Sequence, residues 1–172
     1  MKMMTAYELV LRELDAIGVH FACIGTFALH LHGELPDDYV LHDVDIVIEA
    51  GAVAIETCHR HLTAQNWQFF LWDQRVDNLP ALSTLQEKCY LRACKEGLCL
   101  DIIFSGLMIS TPDILERSQR ASGILIASLA DIFYMKTQRN SPADRSLLAR
   151  IKDGKMNDTG STSASIGRPS EL

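Results

Sequence analysis

Hydrophobic residues recur at two spacings along the chain, and the changes between them predict helices alternating with strands. Residues 5–17 carry apolar side chains at helical spacing, and Thr5 opens a capping box, so we expect the first helix to begin there. Residues 19–24 are a short apolar run typical of a strand. The remaining pattern predicts, in order, a helix at 27–32, a loop at 34–41, a strand at 43–49, a helix at 52–66, a strand at 67–72, a polar stretch at 73–83, strands at 87–94 and 98–104, a helix from Thr111, an apolar run at 124–127, and helices at 129–138 and 142–152.

Two local patterns set the expected boundaries of the fold. The apolar runs at 87–94 and 98–104 flank Lys95-Glu96-Gly97 and predict a hairpin. From residue 153 onward, Gly, Ser and Thr alternate with isolated charges without periodicity, which predicts a disordered tail over 153–172. We therefore expect one domain over 1–152, of the α/β class, with short helices at its C-terminal end.

The composition is that of a globular domain. The chain has 172 residues, 48% of them hydrophobic and 22% charged, and a length of roughly 100–200 residues is usual for one hydrophobic core. No apolar run approaches the roughly 20 residues that a membrane span needs. The N-terminal residues lack the form of a secretory signal. We expect a cytoplasmic protein with no membrane partner.

The charge is acidic and unevenly distributed. The formal net charge is −6, from 16 basic and 22 acidic residues, which argues against an extended surface for duplex nucleic acid. No Lys or Arg lies between Arg12 and Arg60, whereas nine acidic residues do. Such a stretch repels itself unless cations neutralise it.

The cysteine pattern predicts thiols and not disulfides. The chain has five scattered cysteines: Cys23, Cys58, Cys89, Cys94 and Cys99. In a cytosolic protein, an odd and scattered set is typical of reduced, buried thiols. We accordingly expect Cys94 and Cys99, on the two sides of the hairpin turn, to be packed thiols.

Two carboxylates lie on one face of the strand predicted at 43–49. Because side chains alternate across a strand, Asp43 and Asp45 project from the same side, and apolar residues separate and follow them. Two carboxylates held on a packed strand repel each other and lose hydration, so their burial is costly unless a cation compensates. A hard divalent ion such as Mg²⁺ is one such cation. Water-satisfied surface acids are the other interpretation.

A third acid has the same setting. Asp101 stands alone in an apolar strand, and a sheet can bring it beside the first pair. Three carboxylates on one sheet face suit two magnesium ions roughly 3.5–4 Å apart, the arrangement that clamps a phosphoryl displacement. The alternative is an acid at a hairpin end that faces solvent.

The turn at Gly25-Thr26 could bind phosphate. Glycine lets the backbone approach a phosphate closely, and the helix that follows offers unpaired N–H groups. The alternative is a plain strand-to-helix turn with Thr26 as the N-cap.

These segments together resemble the polymerase-β-like nucleotidyltransferase superfamily. The matching residues are Ile-Gly-Thr-Phe-Ala-Leu at 24–29, His-Asp-Val-Asp-Ile-Val at 42–47 and Leu-Asp-Ile at 100–102. That family has a Gly-Gly or Gly-Ser helix start, an Asp-x-Asp/Glu strand and a third Asp on a later strand. The resemblance covers about residues 5–152. It is similar in part to the antibiotic nucleotidyltransferases and in part to the AbiEii-type and minimal branches, and it implies a mixed sheet flanked by helices.

The resemblance implies a role for each matching residue. Asp43 and Asp45 would hold two magnesium ions, with Asp101 as a third ligand that could also take the proton from the attacking hydroxyl. The nucleotide phosphates would be contacted by Gly25, Thr26 and Lys136. A lysine at the position of Lys136 can also simply face solvent.

The expected function is that of an enzyme. It would be a magnesium-dependent nucleotidyltransferase that moves a nucleoside monophosphate from a nucleoside triphosphate such as ATP to a hydroxyl acceptor, which could be a small molecule, a protein or an RNA. The alternative is a non-catalytic module of the same fold, such as a toxin–antitoxin component, paired with an antitoxin or with a second copy. A different magnesium phosphotransferase is a third possibility.

Overall fold

The computed structural model of the protein describes residues 3–35, 38–49, 51–88 and 90–160. Its helices are α1 (Met3–Ala16), α2 (Gly25–Leu31), α3 (Ala52–Ala64), α4 (Leu82–Lys88), α5 (Thr111–Arg117), α6 (Leu129–Arg139) and α7 (Pro142–Gly160). Its strands are β1 (Phe21–Ile24), β2 (Val44–Ile48), β3 (Gln68–Leu71), β4 (Gln74–Val76), β5 (Tyr90–Lys95), β6 (Leu98–Ile103), β7 (Gln119–Ala121) and β8 (Ile124–Ile126).

The described strands form one mixed sheet in the order β4-β3-β5-β6-β2-β1-β8-β7. β2 is parallel to β6 and β1 is parallel to β8, while the other neighbouring strands are antiparallel. All residues of β1 are buried, as are all but one of β2, which explains why these strands are nearly continuous apolar runs. The predicted α/β architecture with a mixed sheet is confirmed.

Helices pack on the sheet and surround its central strands, β1 and β2. α1 packs beside β8, and α5 packs beside β1 and β2. α2 follows β1 directly and lies against both β2 and α6. The apolar side chains of α1 anchor it, since Leu11 and Leu14 are fully buried. The N-terminus of α2 is therefore held between the central strands and α6.

Side-chain caps and turn residues account for several boundaries that the sequence predicts. The Ser128 hydroxyl accepts a hydrogen bond from the Asp131 backbone N–H at 3.1 Å and caps α6, as expected. Ser110 caps α5 in the same way. The β5–β6 hairpin is confirmed, and it turns through Glu96 and Gly97, both at positive φ.

Other boundaries differ from the sequence-based expectation. α1 begins at Met3, so Thr5 is not its cap, and α2 begins at Gly25, two residues early. The stretch predicted as polar at 73–83 contains β4, whose exposed residues are tolerated because β4 is an edge strand. The stretch also contains the start of α4, and this helix delays the next strand from residue 87 to Tyr90.

The last helix is longer than predicted. α7 continues past Lys152 to Gly160. Residues 161–172 lie outside the described residues, so disorder of that segment stays a prediction.

The prediction for Cys94 and Cys99 is wrong, because these residues form a disulfide. They lie directly opposite each other on β5 and β6 with their Cα atoms 4.4 Å apart. This is the close spacing of a non-hydrogen-bonded antiparallel pair. Cys23 and Cys58 are free and buried, as predicted, and Cys89 lies outside the described residues.

No helix within the described part of the chain combines the length and the apolar character that crossing a membrane requires.

Candidate active site

The sheet brings the predicted acids onto one face. β2 and β6 run in parallel with Asp45 directly beside Asp101. Directly paired residues of neighbouring strands point to the same side of a sheet, and Asp43 precedes Asp45 by two positions, so it shares that side. The three carboxylates are therefore neighbours at one place on the sheet.

An arginine that is not among the site residues predicted from the sequence lies among these acids. The Arg92 guanidinium donates from Nε and Nη2 to the two carboxylate oxygens of Asp101, both at 2.7 Å. The same Nη2 lies 3.5 Å from Asp43 Oδ2. The hydrogen bonds to Asp101 hold the pKa of Arg92 above its usual range. Arg92 is therefore a permanent cation in the acidic face.

Asp45 has the least compensated carboxylate of the three. Burial raises its pKa to about 7, and repulsion from Asp43 and Asp101 adds to the effect, against partial opposition from Arg139 and Lys136. No hydrogen bond from a described residue contributes to the pKa of this carboxylate. At neutral pH the structure thus holds an acid that a nearby cation would ionise fully.

Gly25 is required by its contact with Asp45. Its φ is +67°, a region that favours glycine, and a Cβ added to it would collide with Oδ2 of Asp45. The backbone at the start of α2 therefore lies closer to the Asp45 carboxylate than a residue with a side chain would allow.

A second polar cluster faces this one from α6 and α7. Lys136 on α6 is 4% exposed, and its Nζ donates to Thr26 Oγ1 at 3.2 Å and to Asp144 Oδ1 at 3.1 Å. Arg139 donates to Asp144 at 2.6 and 2.7 Å. Ser141 also donates to that carboxylate at 2.7 Å. This cluster carries two cations and one anion.

Asp144 is fully compensated within that cluster. Burial opposes its ionisation, but the hydrogen bonds from Arg139, Ser141 and Lys136 outweigh burial and hold its pKa below the usual range.

A cleft of about 270 Å³ opens between the two polar clusters. Gly25 and Asp45 line it on one side, and Lys136 and Arg139 line it on the other. The rest of its lining is mainly apolar: Ile24, Ile103, Gly106, Leu107, Met108, Ile132 and Met135. A pocket with apolar walls and a few convergent charged groups is the usual form of a small-molecule site.

The structure thus brings most of the predicted site residues together. Gly25, Asp45 and Lys136 line the cleft. Thr26 accepts a hydrogen bond from Lys136. Asp43 and Asp101 lie on the same sheet face as Asp45, and both contact the guanidinium of Arg92. Two alternatives raised by the sequence are wrong: Lys136 does not face solvent, and the N-cap of α2 is Ile24 with no side-chain cap, not Thr26.

The acids fit a divalent cation in part. Asp43 and Asp45 supply carboxylate oxygens, the ligands that Mg²⁺ prefers, and burial together with repulsion between the acids raises the pKa of Asp45 to about 7. The oxygens of Asp101 are engaged by Arg92. As the side chains stand, no three His, Cys, Asp or Glu residues in the described segments are grouped so that they could hold a metal ion. The pair Asp43 and Asp45 fits such an ion, whereas each oxygen of Asp101 already accepts a hydrogen bond from the Arg92 guanidinium.

The signal for Arg92 is present in the sequence but depends on the exact turn. With a two-residue turn at Glu96-Gly97, the antiparallel register pairs Cys94 with Cys99 and Arg92 with Asp101. If Lys95 is taken as part of the turn, the sequence does not define that register. It then gives no reason to place Arg92 opposite Asp101.

Comparison with known proteins identifies the fold. No protein-family model matches the chain, and no curated protein matches it. A crystal structure from Thermotoga maritima named as a "putative nucleotidyltransferase" is similar, with 14% identity and a TM-score of 0.52, over 91% of this chain and 92% of that one. The JHP933 protein of Helicobacter pylori matches with 13% identity and a TM-score of 0.41, over 79% of this chain and 56% of that one. The chain therefore has a nucleotidyltransferase fold.

Proposed function

We propose that the protein is a magnesium-dependent nucleotidyltransferase, which transfers a nucleoside monophosphate from a nucleoside triphosphate to a hydroxyl acceptor. One observation carries the proposal: an undercompensated carboxylate, Asp45, and a buried cation, Lys136, line the same cleft. A metal–triphosphate complex carries both signs of charge and matches that arrangement. The similarity to the AbiEii-type, minimal and antibiotic branches is part of the proposal.

The acidic side would bind the metal. Asp43 and Asp45 would ligate magnesium, which when bound neutralises charge on the triphosphate. Asp101 completes the acidic face while its two oxygens accept hydrogen bonds from Arg92. With its pKa near 7, Asp45 exchanges its proton for a bound cation at little cost.

The opposite side would bind and orient the phosphates. Lys136 is held by Asp144 and Thr26, so its ammonium keeps a fixed position beside the cleft. Arg139 lines the same cleft, and its side chain is 63% exposed, which leaves it accessible to a phosphate. Gly25 lets the chain approach the reacting group because no Cβ intervenes.

The apolar lining would take the uncharged part of a substrate. Ile103, Leu107 and Met135 face the cleft, and Met108 is 57% exposed at its rim. Flexible methionine side chains adapt to flat or irregular apolar groups such as a nucleobase.

Labelled nucleotides test the proposed reaction. The protein is incubated with each of the four common nucleoside triphosphates, labelled at either the α- or the γ-phosphate, with and without magnesium and with a panel of hydroxylated acceptors. We expect release of pyrophosphate and incorporation of the α-label only. Incorporation of the γ-label would instead indicate the rival magnesium phosphotransferase, and failure to bind any nucleotide would contradict the proposal.

A matched pair of lysine variants tests the phosphate side. Lys136→Met removes the buried ammonium, and we expect nucleotide affinity to fall about tenfold or more, since a charged hydrogen bond contributes about 1.5–3 kcal/mol. Lys152→Met, an exposed lysine on α7, should leave affinity unchanged. Equal effects of the two variants would remove Lys136 from the site.

A non-catalytic module of the same fold is the second candidate function. Two observations favour it: Arg92 forms a bidentate pair with Asp101, and the described residues contain no group of three His, Cys, Asp or Glu side chains that could hold a metal ion. Such a module would bind a protein partner and would show no magnesium-dependent affinity for any nucleoside triphosphate.

A further inference from the structure

We propose that Arg92 takes the place of a second metal ion, so that the site binds one divalent cation through Asp43 and Asp45. This inference rests on the proposed function and deepens it, because it replaces the two-ion arrangement expected from the sequence resemblance. It assigns Arg92 as a positioning residue that holds Asp101 away from metal ligation.

The first argument is the geometry of the Arg92–Asp101 pair. Two parallel N–H···O bonds of 2.7 Å join the guanidinium to both oxygens of Asp101. Charge-assisted bidentate pairs of this kind are the strong hydrogen bonds of proteins, and they fix the planes of both groups. A metal ion on Asp101 would lie beside a fixed positive charge and would be repelled by it.

The second argument is that the hairpin holds Arg92 in place. Arg92 and Asp101 are directly paired residues of β5 and β6. Two positions further along the same pair of strands, the Cys94–Cys99 disulfide ties the strands together. The guanidinium therefore cannot leave Asp101 by sliding of the strands, and only a change of its own side-chain conformation would release it.

The third argument is the local charge. Asp43, Asp45 and Asp101 together can carry three negative charges, and Arg92 places one positive charge beside two of them. The remaining two negative charges equal the charge of one divalent ion. Across the cleft, Lys136 and Arg139 share the single carboxylate of Asp144, so one positive charge remains there to face the phosphates of a nucleotide.

Counting bound Mn²⁺ tests the inference without measuring activity. Mn²⁺ replaces Mg²⁺ at oxygen sites and is followed by electron paramagnetic resonance during a titration, with and without a non-hydrolysable nucleoside triphosphate. We expect the wild type to saturate at one Mn²⁺ per chain, with the hyperfine pattern of an isolated ion. Two ions roughly 3.5–4 Å apart would couple magnetically.

Two arginine variants supply the contrast. Arg92→Gln frees Asp101, and we expect a second Mn²⁺ to bind and the coupled spectrum to appear. Arg120→Gln removes another bidentate arginine pair, with Asp15, at the edge of the sheet, and should leave one ion bound. A single ion in Arg92→Gln would overturn the inference.

A further variant keeps the inference testable if Arg92→Gln does not fold. Asp101→Asn should still bind one Mn²⁺, with affinity lowered by no more than about tenfold to a hundredfold, the usual effect of a residue outside the ligand set. Loss of Mn²⁺ binding in Asp101→Asn would make Asp101 a ligand and overturn the inference.

The outcomes for the wild type separate this inference from the proposed function. Two bound ions would overturn the role of Arg92 and leave nucleotidyl transfer standing. No bound ion, with or without nucleotide, would contradict the proposed function and the inference together.

Discussion

Asp45 and Asp144 lie on opposite sides of the cleft, and their surroundings shift the pKa values of the two carboxylates in opposite directions. Asp144 accepts hydrogen bonds from Lys136, Arg139 and Ser141, and these hold its pKa below the usual range. Asp45 receives no hydrogen bond from the described residues, and its pKa is raised to about 7. Both lie where solvent offers limited compensation.

The difference separates a structural acid from a candidate functional one. Donors placed around Asp144 make its charge a stabilising part of the fold, since it orients Lys136 and ties α6 to α7. Because Asp45 has no such hydrogen-bond donors among the described residues, its negative charge destabilises the folded state until a ligand supplies a cation. Strained or undercompensated groups of this kind concentrate at functional sites. The predictions below, ordered by expected size, test this contrast.

The largest effect is expected from removing the Asp144 charge. Asp144→Asn leaves Lys136 without its anion, and breaking a buried pair in this way costs about 3–5 kcal/mol. Urea unfolding measures the change in the free energy of unfolding. Asp15→Asn, which removes the anion from the solvent-accessible Arg120 pair, should cost about 1 kcal/mol or less. Equal costs for the two variants would mean that Asp144 is not a structural anchor.

The next effect is on ligand affinity. Asp45→Asn should weaken magnesium-dependent nucleotide binding by about a hundredfold or more, beyond the 10–100-fold typical of residues outside the ligand set. Calorimetry measures the dissociation constant with and without magnesium. If Asp45→Asn binds as tightly as the wild type, Asp45 is not a ligand.

Gly25→Ala should destabilise the protein by about 2 kcal/mol, because it combines an unfavourable positive φ with a collision against Asp45. Gly33 is the matched control, since its φ is +74° but nothing lies within 4 Å of an added Cβ. The excess cost at Gly25 over Gly33, measured by chemical denaturation, reports the contact with Asp45. Equal costs at the two glycines would argue against that contact.

The pH dependence of stability should reflect the raised pKa of Asp45. The folded state keeps the Asp45 proton up to about pH 7, whereas the unfolded chain loses it near pH 4, so stability falls as pH rises across that interval. Asp45→Asn removes this loss, and its advantage over the wild type should grow by about 2.5 kcal/mol between pH 5 and pH 8. An advantage that does not change with pH would contradict the raised pKa.

Sequence patterns predicted much of the fold because the relevant signals are local. Capping by Ser128 and the apolar run of β2 each depend on neighbours within a few residues. β4 and α4 were not predicted because elements this short contain too few apolar residues to show a strand or helix periodicity.

The candidate site was predictable only in its parts. Alternation along a strand placed Asp43 and Asp45 on one face, and that much follows from the sequence. The pairing of Asp101 with Arg92 depends on a hairpin register that one turn residue can shift. The Lys136 contacts with Thr26 and Asp144 join residues far apart in the chain, so they follow from packing and not from local pattern.

Thermal unfolding of the wild type and Asp45→Asn at pH 8, each with nucleotide, magnesium, both or neither, tests the central claim most directly. A ligand that binds only the folded state raises the melting temperature. We predict that the wild type melts at a higher temperature only when nucleotide and magnesium are both present. We also predict that Asp45→Asn starts from a higher melting temperature and gains nothing from them. A variant that starts lower than the wild type and is stabilised equally by nucleotide and magnesium would contradict the account.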